Sequence, residues 1–250
     1  MSKKIILVVG AGGKIGSNLS KELSLYHNIV LSDIDPKKLS NLKKNINSKN
    51  IKLFNGDLTK SKIIDKLINF TKKNFNRIDT VVFCAYPKSK KYGVKFGNLK
   101  EKFLREDLYN QLGSLIIFCQ KISKIFIKQN SGNIIFISSI QGVCAPKFDH
   151  YRDLNMTSPI EYSVIKAGII SLTKYLSKYF RKKNIRVNCV SPGGIEDNQH
   201  SKFKKRYRES CNSKGLLNSK DVVSAIKFLI SSDSKYINGH NLIVDDGWSL

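Results

Sequence analysis

Short apolar runs alternate along the chain with longer segments in which apolar residues recur every three or four positions. The short runs predict strands at residues 4–9, 28–32, 51–54, 80–84, 133–138, 186–190 and 241–244. Their unbroken Val, Ile, Leu and Phe content is typical of parallel strands buried on both faces of a sheet. The longer segments predict helices at residues 15–25, 36–45, 60–74, 101–129 (with a break), 160–183 and 220–231. This alternation predicts one α/β domain over residues 1–250, with about seven parallel strands in a doubly wound sheet and helices on both faces.

A cluster of glycines joins the first predicted strand to the first predicted helix. Gly10, Gly13 and Gly16 stand in the segment VGAGGKIG, with Lys14 and Ile15 before the last of them. Glycine permits positive φ angles and a close approach of the backbone to a phosphate, and a helix N-terminus attracts the anion. The segment therefore predicts a dinucleotide-phosphate site.

An acidic residue follows each of the next two predicted strands. Asp33 can accept both ribose hydroxyls of an adenosine and would repel a 2′-phosphate, which favours NAD over NADP. The alternative is that Asp33 caps the helix beginning at Pro36, a role open equally to Asp35. Asp57, beside Leu58 in FNGDLT, is predicted to contact the adenine edge or to cap a helix.

Tyr162 and Lys166, in the segment EYSVIKAG, are the most informative residues for chemistry. Residues four apart share one face of a helix, so the Lys166 ammonium can lie near the Tyr162 phenol. An adjacent cation stabilises a phenolate, and a tyrosine with such a neighbour can act as an acid or base near neutral pH. Ser139, in the upstream segment FISSIQG, can hold a hydroxyl or polarise a carbonyl. Together they predict hydride chemistry on an alcohol–ketone pair.

The spacing Tyr-x-x-x-Lys is weak evidence by itself in a chain with 37 lysines and 10 tyrosines. About 1.5 chance matches are expected, and two further matches begin at Tyr86 and Tyr179. Only Tyr162 follows a predicted strand that ends in two serines. Tyr151 stands nearby, but Asn155 occupies the position where its lysine would be.

Composition limits the possible classes of protein. The chain has 250 residues, of which 41% are hydrophobic and 25% charged, as in globular proteins. Its net charge of +25 arises from lysines spread along the whole length, so nucleic acid is not predicted as a partner. The apolar run at residues 5–9 is too short to span a membrane. Five dispersed cysteines fit reduced cytoplasmic thiols, and no metal site is predicted.

From the glycine turn to the terminal VDDGWSL, the chain resembles the short-chain dehydrogenase/reductase family. More narrowly, it is similar to the branch associated with flagellin modification and sialic-acid-like sugar synthesis. The resemblance implies a Rossmann fold, NAD(P)(H) and a homo-oligomer, either tetramer or dimer. It makes Tyr162 the general acid/base, Lys166 the residue that tunes the phenol and binds ribose, and Ser139 the residue that orients substrate. It also implies cofactor contacts from Ala85, Pro192, Gly193 and Ile195.

Several positions depart from the family's pattern. Lys14 replaces the second glycine of the turn, where its charge would assist the pyrophosphate or a 2′-phosphate. Residues 83–86, FCAY, stand where the family has Asn-Asn-Ala-Gly. The asparagine of the family's catalytic tetrad corresponds to Gln111, with Asn110 adjacent. Asp197 occupies a position where the family often has threonine.

Two unusual segments, residues 86–98 and 142–159, are predicted to meet above the nicotinamide. Both carry cations, which favours an anionic substrate unless they belong only to a lysine-rich surface. The second segment is predicted to close over substrate, with Arg152 gripping the anionic group.

These features predict an NAD(H)-dependent oxidoreductase acting on a small, anionic, sugar-like substrate: a sugar phosphate, a nucleotide sugar or a nonulosonate precursor. The alternatives are a nucleotide-sugar epimerase or dehydratase, and a nucleotide-sensing protein without catalysis. The intact set of Ser139, Tyr162 and Lys166 argues against the last alternative, while Gln111 keeps it open.

Overall fold

The computed structural model describes residues 3–46 and 48–250. Seven parallel strands form one sheet in the order β3-β2-β1-β4-β5-β6-β7. They are β1 Ile5–Val9, β2 Asn28–Asp33, β3 Ile51–Asn55, β4 Thr80–Phe83, β5 Gly132–Ile137, β6 Ile185–Pro192 and β7 Asn241–Val244. The predicted single doubly wound Rossmann-type domain, with helices on both faces, is confirmed.

The α-helices are α1 Lys14–Leu23, α2 Pro36–Lys44, α3 Ser61–Phe75, α4 Glu101–Leu108, α5 Ser114–Gln129, α6 Ile160–Tyr179, α7 Ser201–Glu209 and α8 Ser219–Ile230. The break predicted within residues 101–129 is a π-helical turn at Tyr109–Gly113. Helix α7 was not predicted, because its sequence SKFKKRYRE is mostly basic. It is held by two buried aromatics four residues apart, Phe203 and Tyr207.

Each face of the sheet has its own hydrophobic core, because successive side chains of a strand point to opposite faces. In β1, Ile6 and Val8 face the core beneath α1, α2 and α8, whereas Leu7 and Val9 face the core beneath α3, α5 and α6. All of these side chains are at most 1% exposed. Burial on both faces explains why the strands read as unbroken apolar runs.

A third, smaller cluster lies beyond the carboxyl ends of the strands. Ile140, Phe203, Tyr207, Leu216 and Trp248 are all buried in it. The extended segment 142–159 packs against this cluster and contains a 3₁₀ turn at Phe148–Tyr151. The segment therefore packs on a cluster that is separate from the two cores of the sheet.

Helix caps distinguish two of the sequence interpretations. Asp35 caps α2, accepting hydrogen bonds from the amides of Lys37 and Lys38 at 2.9 and 3.2 Å. At α8 the cap is Asn218, in a reciprocal capping box with Asp221, and Ser219 is the first helical residue.

Among the described residues, no helix is long and apolar enough to cross a membrane.

The turn that carries Ser139 packs directly against α6, and this contact requires glycine at position 142. A Cβ on Gly142 would lie 2.5 Å from the carbonyl carbon of Lys166 and 2.7 Å from the amide nitrogen of Ala167. Both neighbours are backbone atoms of α6, so neither can move without displacing the helix.

We therefore expect Gly142→Ala to destabilise the protein by about 1–3 kcal/mol through overpacking. Gly97→Ala is the matched control, since a Cβ there has no neighbour within 4 Å. It should change the free energy of unfolding by less than about 1 kcal/mol. Urea denaturation measures both changes, and equal effects of the two substitutions would contradict the packing argument.

Candidate active site

Two cavities open side by side at the carboxyl edge of the sheet, where β1 and β4 lie adjacent and the chain turns in opposite directions. This switch point is where doubly wound sheets bind ligands. The first cavity, about 250 Å³, contains most of the residues predicted for the adenosine end: Gly10, Gly13, Asp33, Asp57, Leu58 and Ala85. The second, about 460 Å³, contains those predicted for the reacting end: Lys14, Ile15, Ser139, Tyr162, Lys166, Pro192, Gly193 and Ile195. Cys84 and Tyr86 line both cavities, which therefore adjoin.

The glycine turn fits a dinucleotide because backbone approaches backbone closely there. Gly10 has a φ of +76°, and a Cβ on it would lie 2.5 Å from the amide nitrogen of Ala85. A Cβ on Gly16 would lie 2.3 Å from the carbonyl oxygen of Gly10. No side chain caps α1 at Gly13, whose backbone lines the first cavity. An open helix N-terminus beside a side-chain-free turn suits a pyrophosphate.

Asp33 faces the first cavity and does not cap α2. Its Oδ2 accepts a hydrogen bond from the Gly12 amide at 2.8 Å, and its Oδ1 accepts one from the Asp35 amide at 3.0 Å. These bonds fix the carboxylate at the end of β2. The sequence left open whether Asp33 or Asp35 caps the helix, and the structure assigns the cap to Asp35.

Asp57 and Leu58 line the same cavity, after β3. Asp57 Oδ1 accepts hydrogen bonds from the Thr59 amide at 3.0 Å and the Thr59 hydroxyl at 2.7 Å. It therefore caps a turn that precedes α3, whose own N-cap position is Lys60. Lys38 also lines this cavity, and sequence analysis missed it because it lies among many other lysines.

Lys14 reaches across the second cavity instead of toward Asp33. Its Nζ donates to the carbonyl oxygen of Glu196 at 2.9 Å and forms an ion pair with Asp197 at 2.8 Å. Lys14 thereby joins the glycine turn to the loop after β6. A 2′-phosphate would lie beside Asp33, which lines the first cavity, whereas Lys14 lines the second. This placement does not support a contact between Lys14 and a 2′-phosphate.

Ser139, Tyr162 and Lys166 meet in the second cavity, as the sequence predicts. Ser139 ends the loop after β5 and caps the following 3₁₀ turn, while the other two lie one turn apart on α6. The Lys166 side chain is 6% exposed, and its Nζ donates to the carbonyl oxygen of Ile137 at 2.9 Å. That nitrogen lies 5.5 Å from the centroid of the Tyr162 ring.

Burial dominates the acid–base properties of the pair. Desolvation lowers the pKa of the Lys166 ammonium to about 8. Burial also raises the pKa of the Tyr162 phenol, and the Ser139 hydroxyl, which can donate to the phenolate, offsets part of that rise. The sequence predicts a phenol pKa lowered by Lys166. The structure differs because the ammonium lies over the ring face and is bonded to Ile137.

Gln111 is buried in the π-helical turn, and neither polar atom of its side chain has a hydrogen-bond partner among the described residues. It lines a small cavity of about 10 Å³ together with Tyr86, Ala85 and Lys166. A cavity of this size holds one water molecule when polar groups surround it. The Gln111 amide therefore shares one small cavity with the Lys166 side chain. Asn110 lines the first cavity instead.

Aromatic side chains form the far wall of the second cavity: Tyr151, Phe203, Tyr207 and Trp248. The Tyr207 and Trp248 rings stack at 5.6 Å with an interplanar angle of 17°. Gln141 adds a polar group, donating to the Tyr151 hydroxyl at 3.4 Å. Sequence analysis missed three of the four aromatics. Two features of the sequence could have indicated them: the four-residue spacing of Phe203 and Tyr207, and the single tryptophan.

Arg152 lines neither the first nor the second cavity. Its guanidinium forms an ion pair with Asp149, and its side chain is 67% exposed. The neighbouring His150 is buried instead, with its Nε2 3.0 Å from the Ser210 hydroxyl. Lys88, in the other predicted loop, lies with its Nζ 5.1 Å from the Tyr86 ring centroid.

Comparisons with known proteins agree with this geometry. The family profile described as Enoyl-(Acyl carrier protein) reductase matches residues 15–249. The chain is 40% identical to post-translational flagellin modification protein A of Campylobacter coli, with 100% of both chains covered. It is 29% identical to 7alpha-hydroxysteroid dehydrogenase of Bacteroides fragilis, covering 99% of this chain and 95% of that one.

A solved structure has a fold closely similar to that of this chain. The short-chain dehydrogenase of Leptospira borgpetersenii with bound NAD+ superposes with a TM-score of 0.87 at 28% identity. The alignment covers 100% of this chain and 94% of the other. These matches confirm the resemblance predicted from the sequence.

The buried Lys166 ammonium makes stability depend on pH in a defined direction. Its pKa is about 8 in the folded protein, against 10.5 for an ordinary lysine in water. Between these values the unfolded chain binds a proton that the folded protein has lost, so the contribution of this group to stability rises with pH. The whole shift corresponds to about 3 kcal/mol.

We expect cofactor-free Lys166→Met to be more stable than wild type at pH 7, with an advantage that shrinks by up to about 3 kcal/mol as the pH rises toward 10.5. Lys174→Met, at an exposed position of the same helix, is the matched control, because it removes a lysine and leaves the buried ammonium in place. Denaturant unfolding across this pH range tests both. If the difference in unfolding free energy between Lys166→Met and wild type did not change with pH, the pKa of Lys166 would not be lowered in the folded protein.

Proposed function

Because this chain belongs to the short-chain dehydrogenase/reductase family of nicotinamide-dependent oxidoreductases, we propose that it interconverts a hydroxyl and a ketone on a small, sugar-like substrate with NAD(H). The observation that carries the proposal is the meeting of Ser139, Tyr162 and Lys166 beside the glycine turn. A role in surface-glycan or flagellin-glycan synthesis is supported by the 40% identity to flagellin modification protein A.

In this proposal the two adjoining cavities hold one extended cofactor. Gly13 and the α1 N-terminus hold the pyrophosphate, and Asp33, Asp57 and Leu58 hold the adenosine. Ala85, Ile15, Pro192, Gly193 and Ile195 surround the nicotinamide end. When bound, the nicotinamide supplies or accepts the hydride.

The chain's own residues handle the proton. During reduction Tyr162 donates its phenolic proton to the substrate oxygen while Ser139 donates a hydrogen bond to the same atom. The Lys166 ammonium lies over the ring of the phenolate that remains, 5.5 Å from its centroid. The cavity shared by Gln111 and Lys166 provides the route by which a proton returns. Oxidation runs the same steps in reverse.

The aromatic wall supports a ring-shaped substrate. Tyr151, Phe203 and Trp248 offer apolar surface to the C–H face of a sugar, and Gln141 offers hydrogen bonds to its hydroxyls. Arg152 is paired with Asp149 on the outer surface, so it is not proposed to bind an anionic group of the substrate.

A cytoplasmic homo-oligomer is the proposed physiological form. Free thiols at all five cysteines fit a reducing compartment. Val164, Tyr175 and Tyr179 are large apolar residues of α6 that are more than half exposed, and a partner subunit would cover them. Sedimentation analysis tests the assembly.

Turnover assays with NADH and a panel of phosphorylated and nucleotide-linked keto-sugars test the reaction. Stoichiometric loss of NADH with formation of an alcohol supports an oxidoreductase. An isomerised or dehydrated product without net NADH consumption indicates the epimerase or dehydratase alternative. Tight NADH binding without turnover of the panel favours the nucleotide-sensing alternative.

Tyr162→Phe should lower kcat at least about 100-fold, since general acid–base catalysis contributes this much or more. NADH affinity should stay within a few-fold of wild type, because the ring still packs against Tyr86. Tyr151→Phe is the matched control in the same cavity and should retain substantial activity. Steady-state kinetics and fluorescence titration give both values, and exchanged behaviour would identify Tyr151 as the acid.

NADH should bind at least about tenfold more tightly than NADPH, equivalent to about 1.4 kcal/mol. The reason is that the fixed Asp33 carboxylate would face a 2′-phosphate. Asp33→Ser should remove the preference, leaving Lys38 as the neighbouring cation. Fluorescence titration gives the dissociation constants of NADH and NADPH for both proteins. Comparable wild-type values for the two cofactors would exclude this role of Asp33.

A further inference from the structure

Tyr86 lines three cavities: the first cavity, the second cavity and the small cavity beside Gln111. It follows β4 in the segment FCAYPK. Its ring therefore adjoins the first cavity and the side chains of Tyr162 and Lys166 alike.

The Tyr86 ring lies against both members of that pair. Lys166 Nζ is 5.2 Å from the Tyr86 ring centroid, slightly closer than the 5.5 Å to Tyr162. The Tyr86 and Tyr162 rings meet edge to face, with centroids 5.6 Å apart and an interplanar angle of 74°. Two aromatic faces therefore flank one buried ammonium.

The ammonium needs this contact because it has few other partners. An ammonium has three donors, and only one of them, to the Ile137 carbonyl oxygen, is satisfied by a hydrogen bond in the described residues. The face of an aromatic ring attracts a cation within about 6 Å, most strongly where water is excluded.

Other titratable groups around Lys166 are neutral near pH 7. Burial raises the pKa of the Cys84 thiol to about 12 and that of the Cys189 thiol to about 11. The Tyr162 phenol pKa is also raised by burial. None of these groups supplies the negative charge that a buried ammonium would otherwise require.

Tyr86 itself stays neutral. Burial raises the pKa of its phenol far above the usual range, as do the neighbouring Tyr92, Tyr162 and Glu161. Its hydroxyl is hydrogen-bonded to the Tyr92 hydroxyl, away from Lys166. Lys88 approaches the same ring at 5.1 Å from an exposed position. Tyr86 therefore acts on Lys166 through its ring and not as a charge.

The loop that carries Tyr86 is tethered at two further points. Asp107 on α4 is buried and accepts hydrogen bonds from both the amide and the hydroxyl of Ser89, each at 2.7 Å. Glu161 on α6, also buried, accepts a hydrogen bond from the Gly93 amide at 3.4 Å. These contacts restrict the position of the ring relative to α6.

We propose that Tyr86 is a positioning residue, whose ring face holds the Lys166 ammonium charged and in place beside Tyr162. The proposal rests on the proposed function, since it concerns the same acid–base pair. Tyr86 stands where the family pattern has glycine, so the ring is a feature of this chain added to the shared triad.

Titration of Lys166 by NMR in protein labelled with ¹³C at the lysine ε carbons tests the proposal without cofactor or substrate. Lys166→Arg identifies the resonance by its loss. Tyr86→Leu should lower the Lys166 pKa by about one unit, the amount expected for a lost desolvated cation–π contact. Tyr86→Phe, which keeps the ring and removes the hydroxyl, should leave it within about 0.3 units.

Replacement of Tyr86 by pentafluorophenylalanine keeps the shape and reverses the charge distribution of the ring face, so it covers the case in which Tyr86→Leu does not fold. It should lower the Lys166 pKa at least as much as Tyr86→Leu. An unchanged pKa in the folded leucine or pentafluoro variant would overturn the proposal, as would an equal shift in Tyr86→Phe. Failure to turn over any sugar would count against the proposed function and leave these titrations intact.

Discussion

The arrangement of side chains in the second cavity depends on one constraint, the buried ammonium of Lys166. A charge removed from water is costly unless other groups compensate it. Here the Ile137 carbonyl at the end of β5 supplies a hydrogen bond, and two tyrosine rings supply aromatic faces. The compensation is partial, and the ammonium pKa falls to about 8. A lysine so placed can exchange its proton near neutral pH, as an acid–base relay requires.

The two halves of the cleft differ in how they are built. The cofactor half depends on backbone shape, because the glycine turn leaves room that any side chain would fill. The substrate half depends on large side chains from three separate parts of the chain: the segment after β5, helix α7 and the C-terminal turn. The first half therefore depends on a few glycines, whereas the second depends on contacts between side chains that are far apart in the sequence.

The strong positive charge of the chain does not extend into the cleft. Of the 37 lysines, all within the described residues, three line the first and second cavities: Lys14, Lys38 and Lys166. Lys14 is paired with Asp197, and Lys166 is buried beside Tyr162. Most of the remaining lining consists of apolar, aromatic and uncharged polar side chains. Surface charge contributes through long-range attraction, which salt weakens.

The sequence alone determined the strands, most helices, the glycine turn and the trio of Ser139, Tyr162 and Lys166. These features depend on short-range rules: an apolar run buries a strand, a four-residue spacing shares a helix face, and a catalytic group follows the end of a strand. Tertiary structure decided which carboxylate caps α2, where Lys14 and Arg152 point, and that Phe203, Tyr207 and Trp248 form one wall. It also places the face of the Tyr86 ring against the Lys166 ammonium. Asp33 with Gly12, Lys14 with Asp197 and Tyr86 with Lys166 are contacts between residues far apart in the chain, which no local pattern specifies. The Asp35 cap and the Arg152–Asp149 ion pair are local, but each residue had an alternative role that the sequence left open.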